Sequence, residues 1–179
     1  MADYKIIFTG PVGAGKTTAI GALSDRPTVV TDRLASDMTT HRKDRTTVAL
    51  DWGIMDLGDK QHIHLYGTPG QERFDFMWDI LTQGGLGLVL LVDNSRPAPF
   101  TDLRFFLDSF REFIATARVV VGVTCMDKKA TPTIGDYDVE ITRMGWSKLP
   151  VLEVDARNKK DMSLLVQTLL YSLDPTLAD

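Results

Sequence analysis

The sequence predicts an α/β fold in which a mixed, six-stranded and mostly parallel sheet has helices on both faces. Short apolar segments typical of buried strands alternate along the chain with segments of helical periodicity, and such alternation is typical of a parallel sheet covered on both faces. Two further strand-like segments have only Gly58 and Asp59 between them. That connection is too short for a crossover and predicts a hairpin. We therefore expect one antiparallel strand at an edge of the sheet.

The predicted elements differ in the strength of their signal. The strands are predicted at 5–9, 48–57, 60–66, 86–93, 119–124 and 151–154. Apolar side chains at spacings of three and one predict amphipathic helices over 103–110 and 162–173. The periodicity over 133–145 is weaker, and the polar stretch 24–46 is predicted to be a long loop of the kind that is usually functional or mobile.

Length and composition restrict the class of protein. A chain of 179 residues with 44% apolar residues predicts one globular domain over 1–179, and we expect a monomer. The longest apolar run, 86–92, is much shorter than the roughly 20 residues of a membrane span. A net charge of −4 argues against nucleic-acid binding, which needs a basic face.

Cysteine usage and the two ends of the sequence predict a cytoplasmic location. Cys125 is the only cysteine, which excludes an internal disulfide and fits a reducing compartment. The first residues lack a signal-peptide pattern, and the last ones offer no cysteine to prenylate. We expect no intrinsic membrane anchor.

The strongest chemical signal is the sequence G-P-V-G-A-G-K-T at 10–17, between a predicted strand and a predicted helix. In this G-x-x-x-x-G-K-T pattern, glycines let successive backbone N–H groups form an anion nest at the positive end of the helix. The lysine contacts the β- and γ-phosphates, and the threonine hydroxyl can bind Mg²⁺. A glycine-rich turn with a solvated lysine is the alternative. The predicted nucleotide-binding residues here are Gly10, Gly13, Ala14, Gly15, Lys16, Thr17 and Thr18, and Thr17 is also a predicted metal ligand.

A second motif follows the hairpin. The string G-T-P-G-Q-E-R-F at 67–74 resembles the D-T-A-G-Q-E-R-F segment of Ras-like and Rab-like small GTPases, which also follows a strand. In that family the glycine N–H contacts the γ-phosphate and the glutamine orients the attacking water. The resemblance assigns these two roles to Gly70 and Gln71.

Three further motifs of this family occur in the expected order. The string beginning at Thr47, T-V-A-L-D-W, resembles T-I-G-V-D-F, and implies that Thr47 contacts Mg²⁺ and the γ-phosphate. Thr124 to Asp127 resembles the guanine motif [NT]-K-x-D, whose carboxylate accepts from guanine N1–H and the N2 amino group. The string D-A-R at 155–157 resembles S-A-K, and implies that the Ala156 N–H lies near guanine O6. The resemblance covers essentially the whole chain.

Each of these residues also has an ordinary structural alternative. Thr47 could start a strand, Asp127 could cap a helix N-terminus, and Gln71 could be a surface residue in the first turn of a helix. Their order and their placement after predicted strands favour the functional interpretation. The resemblance implies GTP and GDP as ligands, with Mg²⁺ as the metal.

The sequence departs from the family pattern at several positions. Gly67 replaces the aspartate ahead of T-A-G, so a carboxylate near Mg²⁺ is missing and weaker metal binding is expected. With Pro69, this feature is most similar to bacterial small GTPases of the gliding-motility and cell-polarity type. Val12 stands where many relatives have glycine, and is expected to crowd Gln71 and slow hydrolysis. Cys125 replaces the lysine whose stem covers the guanine ring.

The long loop before Thr47 contains Arg33, Arg42 and Arg45. An arginine from the same chain can neutralise charge during phosphoryl transfer, and the resemblance makes Arg45 and Arg42 candidates for that role. A solvated basic loop is the alternative.

Apolar and aromatic residues near the two switch segments predict a partner surface. Phe74, Met77, Trp78 and Leu81 have helical spacing, and at least half of them are expected to pack inward; Trp52 and Tyr66 resemble the aromatic residues through which Rab-like proteins meet partners. The resemblance implies activating proteins, exchange proteins and an effector that binds the switches.

The leading hypothesis is a molecular switch that hydrolyses GTP to GDP and phosphate. Lys16 and Mg²⁺ would stabilise the developing charge while Gln71 positions water. Two alternatives remain open: a GTP-bound scaffold with little hydrolysis, and a P-loop kinase acting on a nucleotide or small molecule.

Overall fold

The computed structural model describes residues 3–30, 50–58, 61–70, 76–146 and 149–173. The strands in these ranges are β1 Asp3–Thr9, β2 Val29–Val30, β3 Asp51–Gly58, β4 Gln61–Gly67, β5 Gly87–Asp93, β6 Arg118–Thr124 and β7 Val151–Glu153. The helices there are α1 Lys16–Leu23, α2 Phe76–Thr82, α3 Pro99–Ser109, α4 Arg111–Thr116, α5 Ile134–Arg143 and α6 Lys159–Leu173. None of the helices in this part of the chain combines the length and apolar character that crossing a membrane requires.

The strands form one sheet in the order β2-β3-β4-β1-β5-β6-β7. All pairings from β4 to β7 across the sheet are parallel, whereas β3 is antiparallel to both β4 and β2. The predicted α/β class, the hairpin and the antiparallel edge are therefore confirmed. The described sheet has seven strands rather than the predicted six. The additional strand is the pair Val29–Val30, which is held by its register with Trp52 and Asp51 and is too short to produce a sequence pattern.

Helices pack on both faces of the sheet, as predicted. On one face α1 and α6 cover the central strands, and the apolar stripe of α6 is buried. Each fully buried apolar side chain of this kind contributes about 1.5–3 kcal/mol. The buried side chains of α6 are Met162, Leu165, Val166 and Leu169. The opposite face is covered by side chains of α2, α3, α4 and α5, including Trp78, Leu103, Ile114 and Tyr137.

Helix α5 lies in the segment where the predicted periodicity was weak. It begins after Thr133, whose hydroxyl accepts from the Asp136 N–H while the Asp136 carboxylate accepts from the Thr133 N–H. This capping box satisfies two N–H groups that a helix start leaves unpaired. The cap therefore defines the start of this helix better than its apolar pattern does.

Five parallel strands, β4, β1, β5, β6 and β7, end at the same edge of the sheet. The connections that follow these strands therefore meet there, which is where open α/β sheets bind their ligands. These connections contain the G-x-x-x-x-G-K-T loop, Asn94, the Thr124–Asp127 motif and Ala156. The fold thus brings together motifs that are more than 100 residues apart in the chain.

Candidate nucleotide-binding site

The loop between β1 and α1 requires its glycines. Gly10, Gly13 and Gly15 have φ angles of 139°, 83° and 100°, which side chains rarely tolerate. A Cβ on Gly10 would lie 2.1 Å from the Leu91 carbonyl oxygen, so the neighbouring strand excludes any side chain there. Because α1 begins at Lys16, the loop leads into the positive end of that helix. This arrangement can bind an anion such as a phosphate.

Lys16 is buried against this loop. Its Nζ donates to the carbonyl oxygens of Gly10 at 2.8 Å and Pro11 at 2.9 Å. Burial lowers the pKa of Lys16 to about 8, and the negative charge of Asp51 partly opposes the shift. An ammonium group with so little hydration interacts strongly with an anion brought next to it.

Thr17, the predicted metal ligand, is oriented by a residue that the motif analysis did not identify. Its Oγ1 donates to the Asp51 carboxylate at 2.5 Å. Asp51 is buried at the start of β3. The hydrogen bond directs the hydroxyl proton toward Asp51, which leaves the oxygen lone pairs for another partner.

Gly70 lies directly against the phosphate-binding loop. A Cβ at this position would be 2.7 Å from both Lys16 Nζ and the Val12 backbone nitrogen. Just before it, the buried Thr68 hydroxyl shares a 2.8 Å hydrogen bond with that of Thr9. The Gly70 backbone therefore lies beside Lys16 and the phosphate-binding loop, and its contact with the terminal phosphate stays a prediction.

A cavity of about 380 Å³ opens beside the loop. Its lining comes from residues 13–15 with Thr18, from 124–128 after β6, and from 153–157 with Asp161. The volume lies within the range of about 300–1,000 Å³ that is typical of small-molecule sites. Three sequence motifs predicted to bind one nucleotide thus line one cavity, and Asp127 and Ala156 are both in its wall.

The cavity and the loop fit closely where Gly15 meets Ala156. A Cβ on Gly15 would lie 2.8 Å from the Ala156 Cβ. The two residues on either side of Ala156 form a bidentate ion pair, the fork. In this pair Arg157 Nε and a terminal nitrogen donate to the Asp155 carboxylate at 2.9 and 2.7 Å. This pairing with Arg157 lowers the pKa of Asp155 to about 2. Asp155 is therefore ionised at neutral pH, and the fork helps to order the connection that follows β7.

Thr124 has a structural contact besides its place in the cavity wall. Its Oγ1 donates to the backbone oxygen of Ala14 at 3.1 Å and is 3.3 Å from that of Val92. The side chain is almost fully buried. Thr124 thus connects the end of β6 to the phosphate-binding loop, which makes it a positioning residue.

Sequence reasoning also missed Asn94, a fully buried residue after β5. Its Nδ2 donates to the carbonyl oxygens of Lys129 at 2.6 Å and Pro132 at 3.1 Å, and its Oδ1 accepts from the Tyr137 hydroxyl at 2.9 Å. Burial raises the pKa of Tyr137, so its hydroxyl stays protonated and can donate. These bonds fix the segment that carries Asp127. The position of an asparagine directly after a predicted strand is the only sequence signal that could have indicated this role.

Some predicted residues lie outside the part of the chain that the structure describes. These are Gln71, Arg33, Arg42, Arg45, Thr47 and Phe74. Among the described residues, no group of three or more His, Cys, Asp or Glu side chains converges on a common point. Mg²⁺ bound together with nucleotide phosphates needs only one or two protein ligands, and Thr17 fits such a site.

Part of the predicted partner surface is buried in the hydrophobic core. Trp78 stacks on Phe110 with ring centroids 4.9 Å apart, and both Trp78 and Leu81 are buried. Trp52 and Tyr66 remain half-buried on the hairpin, with the His64 ring between them at 6.0 and 6.5 Å. The inward packing expected for half of the helical set therefore applies to Trp78 and Leu81.

Fold and site together define a P-loop nucleotide-binding protein with a Ras-like sheet. The chain belongs to the family described as conserved hypothetical ATP binding protein, which matches residues 26–172. That match begins after the glycine-rich loop at 10–17, so the loop is independent evidence for nucleotide binding.

Several curated relatives are Ras-related or Rab-related proteins at low identity. The chain is 18% identical to the Ras-related protein RabC of Dictyostelium discoideum, over 97% of this chain and 85% of that protein. It is 23% identical to the GTP-binding protein YPT1 of Saccharomyces cerevisiae, over 90% of this chain and 75% of that protein. An uncharacterized protein of Methanocaldococcus jannaschii is 31% identical over 52% of this chain, and the match spans about half (53%) of that relative's length.

Proposed function

We propose that this protein binds GTP and GDP with Mg²⁺, hydrolyses GTP to GDP and phosphate, and acts as a nucleotide-dependent switch. The observation that carries the proposal is the single cavity lined by the phosphate-binding loop, by Asp127 and by Ala156. An aspartate at the base end of such a cavity can accept two hydrogen bonds from guanine N1–H and N2, a pattern that adenine does not offer. The distant Ras-related and Rab-related relatives support the same class.

The proposed chemistry uses the residues in the roles that the family resemblance implies. Lys16, with Mg²⁺ held by Thr17 and Thr47, stabilises charge on the phosphates, and Gln71 orients the attacking water. Arg45 and Arg42 are candidates for an additional positive charge. Contacts from Thr47 and Gly70 to the γ-phosphate would order the two switch segments, and hydrolysis would release them to change the surface offered to partners.

The sequence at 67–70 supports a more specific placement. Gly67 and Pro69 together are most similar to bacterial small GTPases of the gliding-motility and cell-polarity type. The partners expected for such a switch are an activating protein, an exchange protein and an effector bound in the GTP state.

Single-turnover hydrolysis tests the proposal. The protein is loaded with GTP, and phosphate release is followed in the absence of any phosphoryl acceptor. We expect release above the rate of GTP in buffer, and a large loss in Gln71→Ala, with Glu72→Ala as a neighbouring control. A rate equal to that of buffer and unchanged in Gln71→Ala would instead indicate a GTP-bound scaffold. Phosphate transfer only when an acceptor is added would indicate a kinase.

A further inference from the structure

Arg96 lies on the connection between β5 and α3, beside the phosphate-binding loop. Its terminal nitrogen Nη1 donates to the backbone oxygen of Val12 at 3.4 Å. Val12 is 84 positions earlier in the chain, so the contact is made only when separate elements pack together. The structure thus brings a second basic side chain, besides that of Lys16, to this loop.

The contact of Arg96 is made at the end of the loop that is predicted to hold the terminal phosphate. A Cβ on Gly70 would lie 2.7 Å from the Val12 backbone nitrogen and 2.7 Å from Lys16 Nζ. Val12, Lys16 and Gly70 therefore meet at one place. Arg96 approaches the loop beside that place.

An ion pair with Asp102, in the first turn of α3, orients the guanidinium group. Arg96 Nε donates to Asp102 Oδ2 at 2.6 Å, and Nη2 donates to Oδ1 at 3.5 Å. The Arg96 side chain is 39% exposed and that of Asp102 19%. This pairing uses one edge of the planar group and leaves the Nη1 edge for a partner at the loop.

The carbonyl oxygen of Val12 is a weak partner for that edge. Hydrogen bonds from N–H groups to oxygen are usually about 2.7–3.2 Å long, and this one is 3.4 Å. A phosphate oxygen carries negative charge and binds a guanidinium group more strongly than a neutral carbonyl does. The partly exposed Arg96 side chain can therefore shift toward an anion bound by the loop, while Asp102 keeps hold of its other edge.

We propose that Arg96 is a catalytic residue that donates from Nη1 to an oxygen of the γ-phosphate of GTP. In the reaction the water oxygen bonds to the γ-phosphorus, and the bond from that phosphorus to the β–γ bridging oxygen breaks. The electron pair stays on GDP, and the water proton leaves with inorganic phosphate. Arg96 stabilises the negative charge on the phosphate oxygens while this bond breaks, and Asp102 is its positioning residue. This inference rests on the proposed function.

Single-turnover hydrolysis of bound GTP by wild type and by Arg96→Ala tests the inference. A hydrogen bond to a charged group corresponds to a factor of about 10–150, so we expect phosphate release by Arg96→Ala to slow by at least about tenfold. The Kd for GDP, which has no γ-phosphate, should equal that of wild type. Guanidinium chloride, added far below denaturing concentrations, should raise the rate of Arg96→Ala and not that of wild type, because the free ion can take the place of the missing group.

A second variant keeps the test decisive if Arg96→Ala does not fold. Arg96→Lys retains a positive charge and a long stem but loses the planar group that can donate from two edges. A lysine cannot pair with Asp102 and contact a phosphate oxygen in the same geometry. We expect Arg96→Lys to hydrolyse GTP more slowly than wild type, with an unchanged Kd for GDP.

Arg111→Ala is the matched control. Arg111 also pairs with an aspartate of α3, since its terminal nitrogen lies 2.6 Å from the Asp108 carboxylate. It lies beyond the opposite end of this helix, which has 11 residues and is therefore about 16 Å long. We expect Arg111→Ala to hydrolyse GTP at the wild-type rate.

Three outcomes would overturn the inference. A wild-type rate in either Arg96 variant, with a wild-type protein that hydrolyses GTP, overturns the assignment of Arg96 and leaves the proposed function standing. Slower hydrolysis with an equal loss of GDP affinity and no rescue by guanidinium shows that Arg96 supports the loop and does not act in the reaction. A wild-type protein that retains GTP but releases phosphate no faster than buffer overturns the hydrolysis in the proposed function, and this inference with it.

Discussion

Replacing Asn94 with alanine is expected to destabilise the protein and to weaken nucleotide binding together. The fully buried Asn94 side chain makes three hydrogen bonds, at 2.6, 3.1 and 2.9 Å, to Lys129, Pro132 and Tyr137. A buried intramolecular hydrogen bond contributes about 1 kcal/mol net. The expected loss in the free energy of unfolding is therefore about 3 kcal/mol, or roughly 6–12 °C in Tm for a chain of this size.

Tyr137→Phe and Ser95→Ala make this prediction quantitative. The tyrosine variant removes one of the three bonds and should cost about 1 kcal/mol. Ser95 is the exposed neighbour of Asn94, and its change removes one exposed hydrogen bond to the Asp93 carboxylate, so it should cost no more than about 1 kcal/mol. Urea denaturation of the nucleotide-free protein measures all three variants under the same conditions.

Nucleotide binding supplies the second readout for Asn94→Ala. The bonds to Lys129 and Pro132 fix the segment that follows Asp127. Their loss should therefore raise the Kd for GTP, measured at a temperature well below the Tm of the variant. A stability loss no larger than that of Ser95→Ala would refute the reasoning. So would an unchanged Kd in a variant that has lost the expected 3 kcal/mol or so.

Three further predictions concern the cavity and the loop. Asp127→Ala should weaken GTP binding by about 1.5–3 kcal/mol, the value of hydrogen bonds to a charged group, and leave ATP binding unchanged in a displacement assay; equal losses for both nucleotides would contradict the base contact. Gly15→Ala should cost about 1–3 kcal/mol of stability through its backbone strain and should no longer retain nucleotide on gel filtration. Adding Ala156→Gly to this variant should restore only part of the lost stability, because it removes the 2.8 Å contact but not the strain. Lys16→Met should abolish triphosphate retention. The pKa of Lys16 is about 8 in the folded protein against an ordinary 10.5, so between pH 8 and pH 10.5 the unfolded wild-type chain binds more protons than the folded one. The free energy of unfolding of the wild-type protein should therefore rise with pH over this range. A similar rise in Lys16→Met would exclude Lys16 as the cause.

The meeting of the phosphate-binding loop with the Asp127 and Ala156 motifs could be predicted because each motif is a short local pattern. A run of glycines ending in Lys16 and Thr17 is specific to phosphate binding when it lies between a strand and a helix, and the structure has it there. Asp127 and Ala156 were identified through motifs of three or four residues. The structure adds that both line one cavity with the loop.

Asp51 could not be predicted because its role depends on the strand register. A shift of one residue between β3 and β4 would turn its side chain to the other face of the sheet. Asn94 was missed for a related reason, since its partner Tyr137 is 43 residues away in the chain. Such contacts are made only when separate elements pack together.

Contacts that apolar periodicity does not describe account for the remaining differences between the predicted and the observed elements. The start of α5 is determined by the capping box of Thr133 and Asp136, a pattern that is visible in the sequence but independent of apolar spacing. The strand Val29–Val30 depends on its pairing with β3. Trp78 belongs to the helical set of which at least half was expected to pack inward, and its partners Phe106 and Phe110 are established only when separate elements pack together.

The central claim is that the cavity selects guanine, in a family whose description refers to ATP. The most direct measurement is the displacement of a bound fluorescent GDP from the wild-type protein by unlabelled GTP and, separately, by ATP at matched Mg²⁺. The account predicts that GTP displaces the probe at a concentration at least about tenfold lower than ATP, as the loss of one charged hydrogen bond implies. Equal displacement by the two nucleotides, or a preference for ATP, would contradict it.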